Sequence, residues 1–360
     1  MRQFVARSLL FGLAYLFCGC NDVVEQDFFT DALCEVELCA AQKMDLNESY
    51  VTSSTVSMAY IVDSLFISID RFGQEYLYCI SDIRTDSMMG AFGRRGRSCN
   101  EMLDCLPILD TYKNKEGELC SDVSSFGDGR LFVWNISESL RTQSDCYDKI
   151  VQLNNEEKRY PFLSAYHLND TSVVVKNSKQ LPLEESMVDP PVYEIYSLKT
   201  GEITRQFDIF DIVNVETTDP LYTSKSFSGN FDCIKPDRTK LAFGMGYMPV
   251  YGILNLSSGK FQGFRIKGLN RFSIAERNWH FCNLVADNHY IYALYYGHDI
   301  SDPYSERGCS TLFVIDWDGG LVKRFLLDKY LTELNISNGV LYFGYNDGVI
   351  YSVAADKLMI

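Results

Sequence analysis

Leu77-Tyr-Cys-Ile-Ser81, Leu131-Phe-Val-Trp-Asn135, Tyr193-Glu-Ile-Tyr-Ser197, Tyr251-Gly-Ile-Leu-Asn255, Leu312-Phe-Val-Ile-Asp316 and, more weakly, Ile350-Tyr-Ser-Val-Ala354 are versions of one unit. Each puts four strand-forming residues before a turn former, Ala354 being the exception. Gly201, Gly259 and Gly320 stand four residues after Ser197, Asn255 and Asp316, where a tight hairpin needs a residue that tolerates positive φ. The runs begin 54, 62, 58, 61 and 38 residues apart. A further apolar strand precedes most of them: Leu65 to Ile69, Ser172 to Val175, Leu241 to Gly244, Tyr290 to Tyr295 and Val340 to Tyr345.

An interval longer than a WD or kelch repeat, holding four antiparallel strands and loops of variable length, predicts an all-β, six-bladed β-propeller of four-stranded antiparallel blades over residues 51–360. The short final interval is explained if the last blade borrows an N-terminal strand, placed here at Thr55 to Ile61, which closes the ring without an open edge. Two β-sandwich domains are the alternative, but no Pro/Gly/Ser-rich linker divides the chain. The one candidate short helix is Asn100 to Leu106.

Ahead of this body, Arg2 and Arg7 precede an apolar run from Ser8 to Phe17, too short to span a bilayer comfortably. It ends in Leu16-Phe-Cys-Gly-Cys20, a small residue directly before a cysteine, as a bacterial lipoprotein signal requires. Residues 1–19 therefore read as a signal peptide, Cys20 as the lipid-attachment site and 20–50 as a tether; a plain secretory signal is the alternative. Acyl chains contribute about 0.8 kcal/mol per buried methylene, so three of them hold a protein on the membrane essentially permanently.

The 33 basic and 48 acidic side chains give a net charge of −15, which repels nucleic acid and anionic lipid headgroups alike. With 23 Tyr and 23 Phe against 3 Trp, the composition favours strands. Ten cysteines remain once Cys18 and Cys20 are set aside. Cys34 with Cys39, or Cys99 with Cys105, are near enough to pair, spacing fixes no connectivity, and Cys79 reads as a small buried hydrophobe.

Signs of chemistry are sparse. His167, His280, His289 and His298 are the four histidines, none beside a Gly-x-Ser-x-Gly turn, so no catalytic triad is named. The nine-residue spacing of His280, His289 and His298 scatters them over a hairpin, and the acidic loop Asp299 to Glu306 lacks the ladder and central glycine of a calcium site. No metal site and no cofactor is assigned. Arg94-Arg95-Gly96-Arg97 reads as a charged hairpin loop paired with surplus acids, or as a receiver for a carboxylate or phosphate. Tyr295-Tyr296 reads as packing between blades, or as a sugar platform. Five Asn-x-Ser/Thr triplets, at Asn47, Asn135, Asn169, Asn255 and Asn335, are incidental in a bacterial protein.

Phe92-Gly93-Arg94-Arg95-Gly96-Arg97-Ser98-Cys99-Asn100-Glu101 resembles the Gly-Arg-x-Gly-x-Gly-Pro-x-Glu signature that follows the first blade in TolB-like six-bladed propeller lipoproteins of Bacteroidetes. Gly93, Arg94, Gly96 and Glu101 fit; Ser98 and Cys99 stand where that family has Gly-Pro. The resemblance implies an outer-membrane propeller in a family without an established general activity. The resulting expectation is a non-enzymatic binding or scaffold lipoprotein of the cell envelope, with an envelope protein, peptide or glycan as partner and no nucleic acid. The alternative is a glycoside hydrolase or lyase using carboxylates at the propeller axis, which distant blades would bring together without a spacing signature.

Overall fold

The computed structural model describes residues 33–52, 58–70, 75–125, 129–153, 162–178, 191–208, 230–269, 278–299, 310–344 and 348–359; the signal segment, Cys20 and the acidic loop from residue 300 lie outside them. Three short strands come first, β1 (Cys34–Val36), β2 (Ala41–Met44) and β3 (Asn47–Val51). Blade 1 is β4 (Tyr60–Val62), β5 (Leu65–Ile69), β6 (Tyr76–Asp82) and β7 (Ser87–Arg94). Blade 2 is β8 (Tyr112–Lys113), β9 (Leu119–Ser124), β10 (Arg130–Asn135) and β11 (Tyr147–Gln152). Blade 3 is β12 (Phe162–Asn169), β13 (Ser172–Ser178), β14 (Pro191–Ser197) and β15 (Ile203–Asp208). Blade 4 is β16 (Phe231–Ile234), β17 (Lys240–Gly244), β18 (Val250–Asn255) and β19 (Phe261–Ile266). Blade 5 is β20 (Asn278–Ala286), β21 (Tyr290–Asp299), β22 (Thr311–Asp316) and β23 (Leu321–Leu327). Blade 6 is β24 (Glu333–Ser337), β25 (Val340–Gly344) and β26 (Val349–Ala354), completed by β3.

The protein is thus a six-bladed β-propeller, as the repeat predicts, and the six runs quoted from the sequence lie in the third strands of the blades. Third strands are buried on both faces by neighbouring blades, which is why they read as continuous apolar runs. The core is distributed over six clusters, one per seam. Tyr78, Phe92 and Trp134 fill the seam between blades 1 and 2, Leu131 and Tyr196 that between 2 and 3, and Tyr193 and Phe243 that between 3 and 4. Tyr251, Phe281 and Phe313 join blades 4 and 5, Tyr292 and Phe343 join 5 and 6, and Ile61, Phe66 and Ile350 join 6 to 1. Aromatic side chains suit these wedge-shaped gaps because one residue fills the volume of several aliphatic ones.

The last seam closes the ring. Ile350 pairs with Tyr50 and Tyr351 with Glu48, so β3 supplies the antiparallel outer strand of blade 6. Asn335 of β24 then reaches across the axis side, its Nδ2 donating to Ala59 O at 3.1 Å and its Oδ1 accepting from Ile61 N at 3.3 Å. Two further strands of the N-terminal segment run parallel to blades that are already complete, β1 along β19 and β2 along β23.

Several expectations are corrected. The closing strand is Asn47–Val51, not Thr55 to Ile61, and Tyr60–Val62 is instead the innermost strand of blade 1. The stretch read as a tether up to residue 50 carries β1, β2 and most of β3. Asn100 to Leu106 is not helical, because Arg130 draws the carbonyls of Ser98, Cys99 and Glu101 onto its guanidinium and fixes a turn. Among the described residues the α-helix is α1 (Ile136–Thr142), where Asn135 Oδ1 caps Glu138 N at 2.9 Å. Gly201 does adopt positive φ, 74°, and a β-carbon there would meet Gln152 O; after β22 that conformation belongs to Gly319, φ 90°, rather than Gly320.

These pairings assign unequal weight to the N-terminal strands. A chain starting at residue 47 is expected to keep one cooperative thermal transition at a lowered midpoint. A chain starting at residue 53 lacks the closing strand and is expected to lose the single transition, as scanning calorimetry would read.

Candidate functional site

The innermost strands of the blades end at one mouth of the axis, and the turns that follow them form its rim. Six non-glycine residues among those described have positive φ, and three of them, Asp63 (55°), Arg238 (64°) and Asn338 (50°), lie on this rim. Asp and Asn accept the left-handed region through local side-chain hydrogen bonds. Arginine does not, and the strain is on the order of 1 kcal/mol. The rim is tied across the closing seam by Asn338 Nδ2 donating to Asp63 Oδ1 at 2.8 Å and Asp63 N to Ser337 Oγ at 2.9 Å.

Within the rim is a cavity of about 390 Å³, its wall including Tyr60, Asp110, Thr111, Arg238, Val285 and Ile336. Arg238 Nη1 donates to Asp110 Oδ2 at 2.5 Å, with both side chains largely buried, 18% and 14% exposed. Burial pushes the Asp110 carboxyl above its usual range and the Arg238 charge pulls it back. Ser121 Oγ holds the Asp110 carbonyl at 2.8 Å, which fixes the carboxylate from its backbone. The Tyr60 hydroxyl is pushed up to about 12, first by burial and then by Asp110, and so is neutral near pH 7. The remaining N–H groups of Arg238 have no protein partner among the described residues.

Tyr112 also lines the cavity; Asp122 accepts from its Oη at 3.0 Å on one oxygen and meets His167 Nδ1 at 3.1 Å on the other, while the Tyr112 and His167 rings stack at 3.6 Å. Burial, then the Asp122 charge, raises the Tyr112 hydroxyl further. Blades 3 and 4 are pinned similarly by a buried group. Asp232 accepts from Ser164, Tyr166 and Tyr193 and lies 3.5 Å from Lys176 Nζ. Chemically, each of these axial carboxylates is already engaged, whereas Arg238 presents donors that are not.

The residues singled out from sequence lie elsewhere. In the signature loop, Gly93 N and Arg94 N donate to Asp145 at 2.7 and 2.9 Å, and Glu101 turns back to accept from Ser98 N at 3.0 Å, which holds it below the usual carboxylate range. A β-carbon on Gly96 would collide with the Glu101 carboxylate, so the four residues act together as a folded loop. His280 is fully buried with Nδ1 2.8 Å from Tyr295 Oη, and His289 sits on the exposed turn at the other end of β20. The His298 side chain lies outside the described residues. Tyr295 and Tyr296 pack into successive seams, against Phe281 and Tyr330. Cys34, Cys39, Cys99 and Cys105 are free thiols, Cys79 is half-buried, and Asn135 and Asn335 serve as helix cap and seam bridge. Asp110 and Arg238 escaped sequence reading because 128 residues separate them.

The chain matches no protein-family model and no curated protein. Its fold is similar to that of a DUF4221 family member from Bacteroides vulgatus, at 11% identity and a TM-score of 0.53, covering 85% of this chain and 96% of that one. It is also similar to a calcium-binding protein, regucalcin, from Agrobacterium tumefaciens, at 11% identity and a TM-score of 0.51, covering 87% and 95%. At such identities the likeness is one of fold.

Burial lowers His280 from about 6.5 to about 3. Between those values the unfolded chain binds a proton that the folded chain does not, so stability present above pH 6.5 is lost as the pH falls. Unfolding free energies by urea titration should decline over this window with a slope up to about 1.4 kcal/mol per pH unit from this residue. His280→Gln should flatten the decline relative to the parent.

Proposed function

We propose that this protein is a non-enzymatic binding propeller of the cell envelope, held by lipid on Cys20 and offering its axial cavity to a peptide, glycan or protein partner. The observation that carries the reading is the pairing state of the axis. Glycoside hydrolysis needs two carboxyl groups flanking the scissile bond, one to give a proton and one to attack or to activate water. Here Asp110 is held by Arg238, and both oxygens of Asp122 are taken by Tyr112 and His167. Binding asks only for shape and for donors that remain open, and the cavity supplies both.

The lipoprotein part rests on the Leu16-Phe-Cys-Gly-Cys20 signal and on the resemblance of the Gly93 to Glu101 loop to TolB-like envelope propellers. The propeller fold supports the binding part, because a rigid ring aims its turns at a partner without a conformational step. The net charge of −15 disfavours nucleic acid and anionic lipid as partners.

Incubated with envelope polysaccharides, the purified protein is expected to release no reducing ends above a heat-denatured control; sustained release would contradict the binding reading. Cells fed a clickable fatty acid should label the native protein and not Cys20→Ala. Equal labelling of the two would remove the lipid anchor.

A further inference from the structure

Arg238 has two features that a purely structural arginine does not need. Its backbone is held left-handed in the turn between β16 and β17, where Arg238 N donates to Lys235 O at 2.8 Å, and a glycine or asparagine would sit there with less strain. Its guanidinium spends Nη1 on Asp110, its other side-chain N–H groups have no protein partner among the described residues, and the residue lines the cavity. A planar fork with one edge anchored and one edge open matches a carboxylate. Formal charge on the cavity wall points the same way. Arg238 and Lys113 are balanced by Asp63 and Asp110, so one further negative charge is tolerated more readily than the two of a phosphate dianion.

Part of the remaining wall is aliphatic, beside Tyr60, Thr111, Tyr112, Cys233, Ser337 and Asn338. Val62, Val285 and Ile336 are half-buried and Leu109 is 40% exposed. One face of Tyr112 is covered by His167, so that face is not available to stack on a sugar ring. From these observations we infer that the open edge of Arg238 receives the C-terminal carboxylate of a peptide whose last, aliphatic side chain packs against Val62, Leu109, Val285 and Ile336. Asp110 orients the guanidinium and Ser121 orients Asp110. This inference rests on the binding reading and names its ligand class.

The test is calorimetric titration of the full-length protein with N-acetyl-Ala-Ala-Leu bearing a free carboxylate, with its C-terminal amide, with glucuronate and with inorganic phosphate. The free acid should bind saturably and the amide about tenfold or more weakly, the loss expected for a charge-assisted pair. Arg238→Lys should keep part of the preference, since an ammonium lacks the fork. Arg238→Met combined with Asp110→Asn, which leaves no buried charge unpaired, should unfold near the parent temperature and bind acid and amide alike. Equal binding of acid and amide by the parent, tighter binding of glucuronate or phosphate, a preference that survives in the double variant, or no saturable binding of the peptide would each overturn the inference. Glucuronate binding lost in the double variant would leave the binding reading standing, whereas turnover of a polysaccharide would remove that reading itself.

Discussion

A ring of blades has two chain ends to join, and this protein joins them by backbone pairing between Asn47–Val51 and Val349–Ala354. The pairing removes the open edge of blade 6, and the seam it completes packs Ile350 against Ile61 and Phe66 of blade 1. Each blade buries its aromatic side chains only if both neighbours are in place, so an opening at one seam exposes apolar surface on two blades. The Asn335 bridge to Ala59 and Ile61 ties the same seam at the axis. The remaining N-terminal strands extend the pairing around the rim, covering the outer edges of blades 4 and 5.

The axial cavity depends on that closure. Asp63, Arg238 and Asn338 come from blades 1, 4 and 6, and their turns face one another only because the innermost strands all end at the same mouth. Asp110 arrives from the segment entering blade 2, where a two-residue inner strand, Tyr112–Lys113, leaves room at the axis for the preceding residues. The result is an ion pair between blade 4 and the segment entering blade 2, at the wall of a cavity that mixes polar and apolar side chains.

Much of the fold was legible from the sequence. Third strands such as Leu312–Asp316 sit between two blades, and burial on both faces writes an unbroken apolar run. The closing strand was not legible, since Asn47–Val51 is an outer strand whose side chains are mostly exposed and read as polar tether. The helix after β10 was missed although Asn135 with Glu138 is a capping pattern, because the neighbouring units end in tight turns. The site was the least legible part. Nothing in the residues around Arg238 announces positive φ, and ion pairs between blades carry no spacing rule.

The stability of the ring turns on whether residues 47–51 belong to it. Native-state hydrogen exchange of the intact protein measures this directly by comparing amides of Asn47–Val51 with those of Val340–Gly344 in blade 6. If the closing strand holds the ring together, its paired amides exchange with the same opening free energy as the blade's own strand. Exchange of residues 47–51 at the rate of an unstructured segment, with Val340–Gly344 still protected, would contradict closure as described.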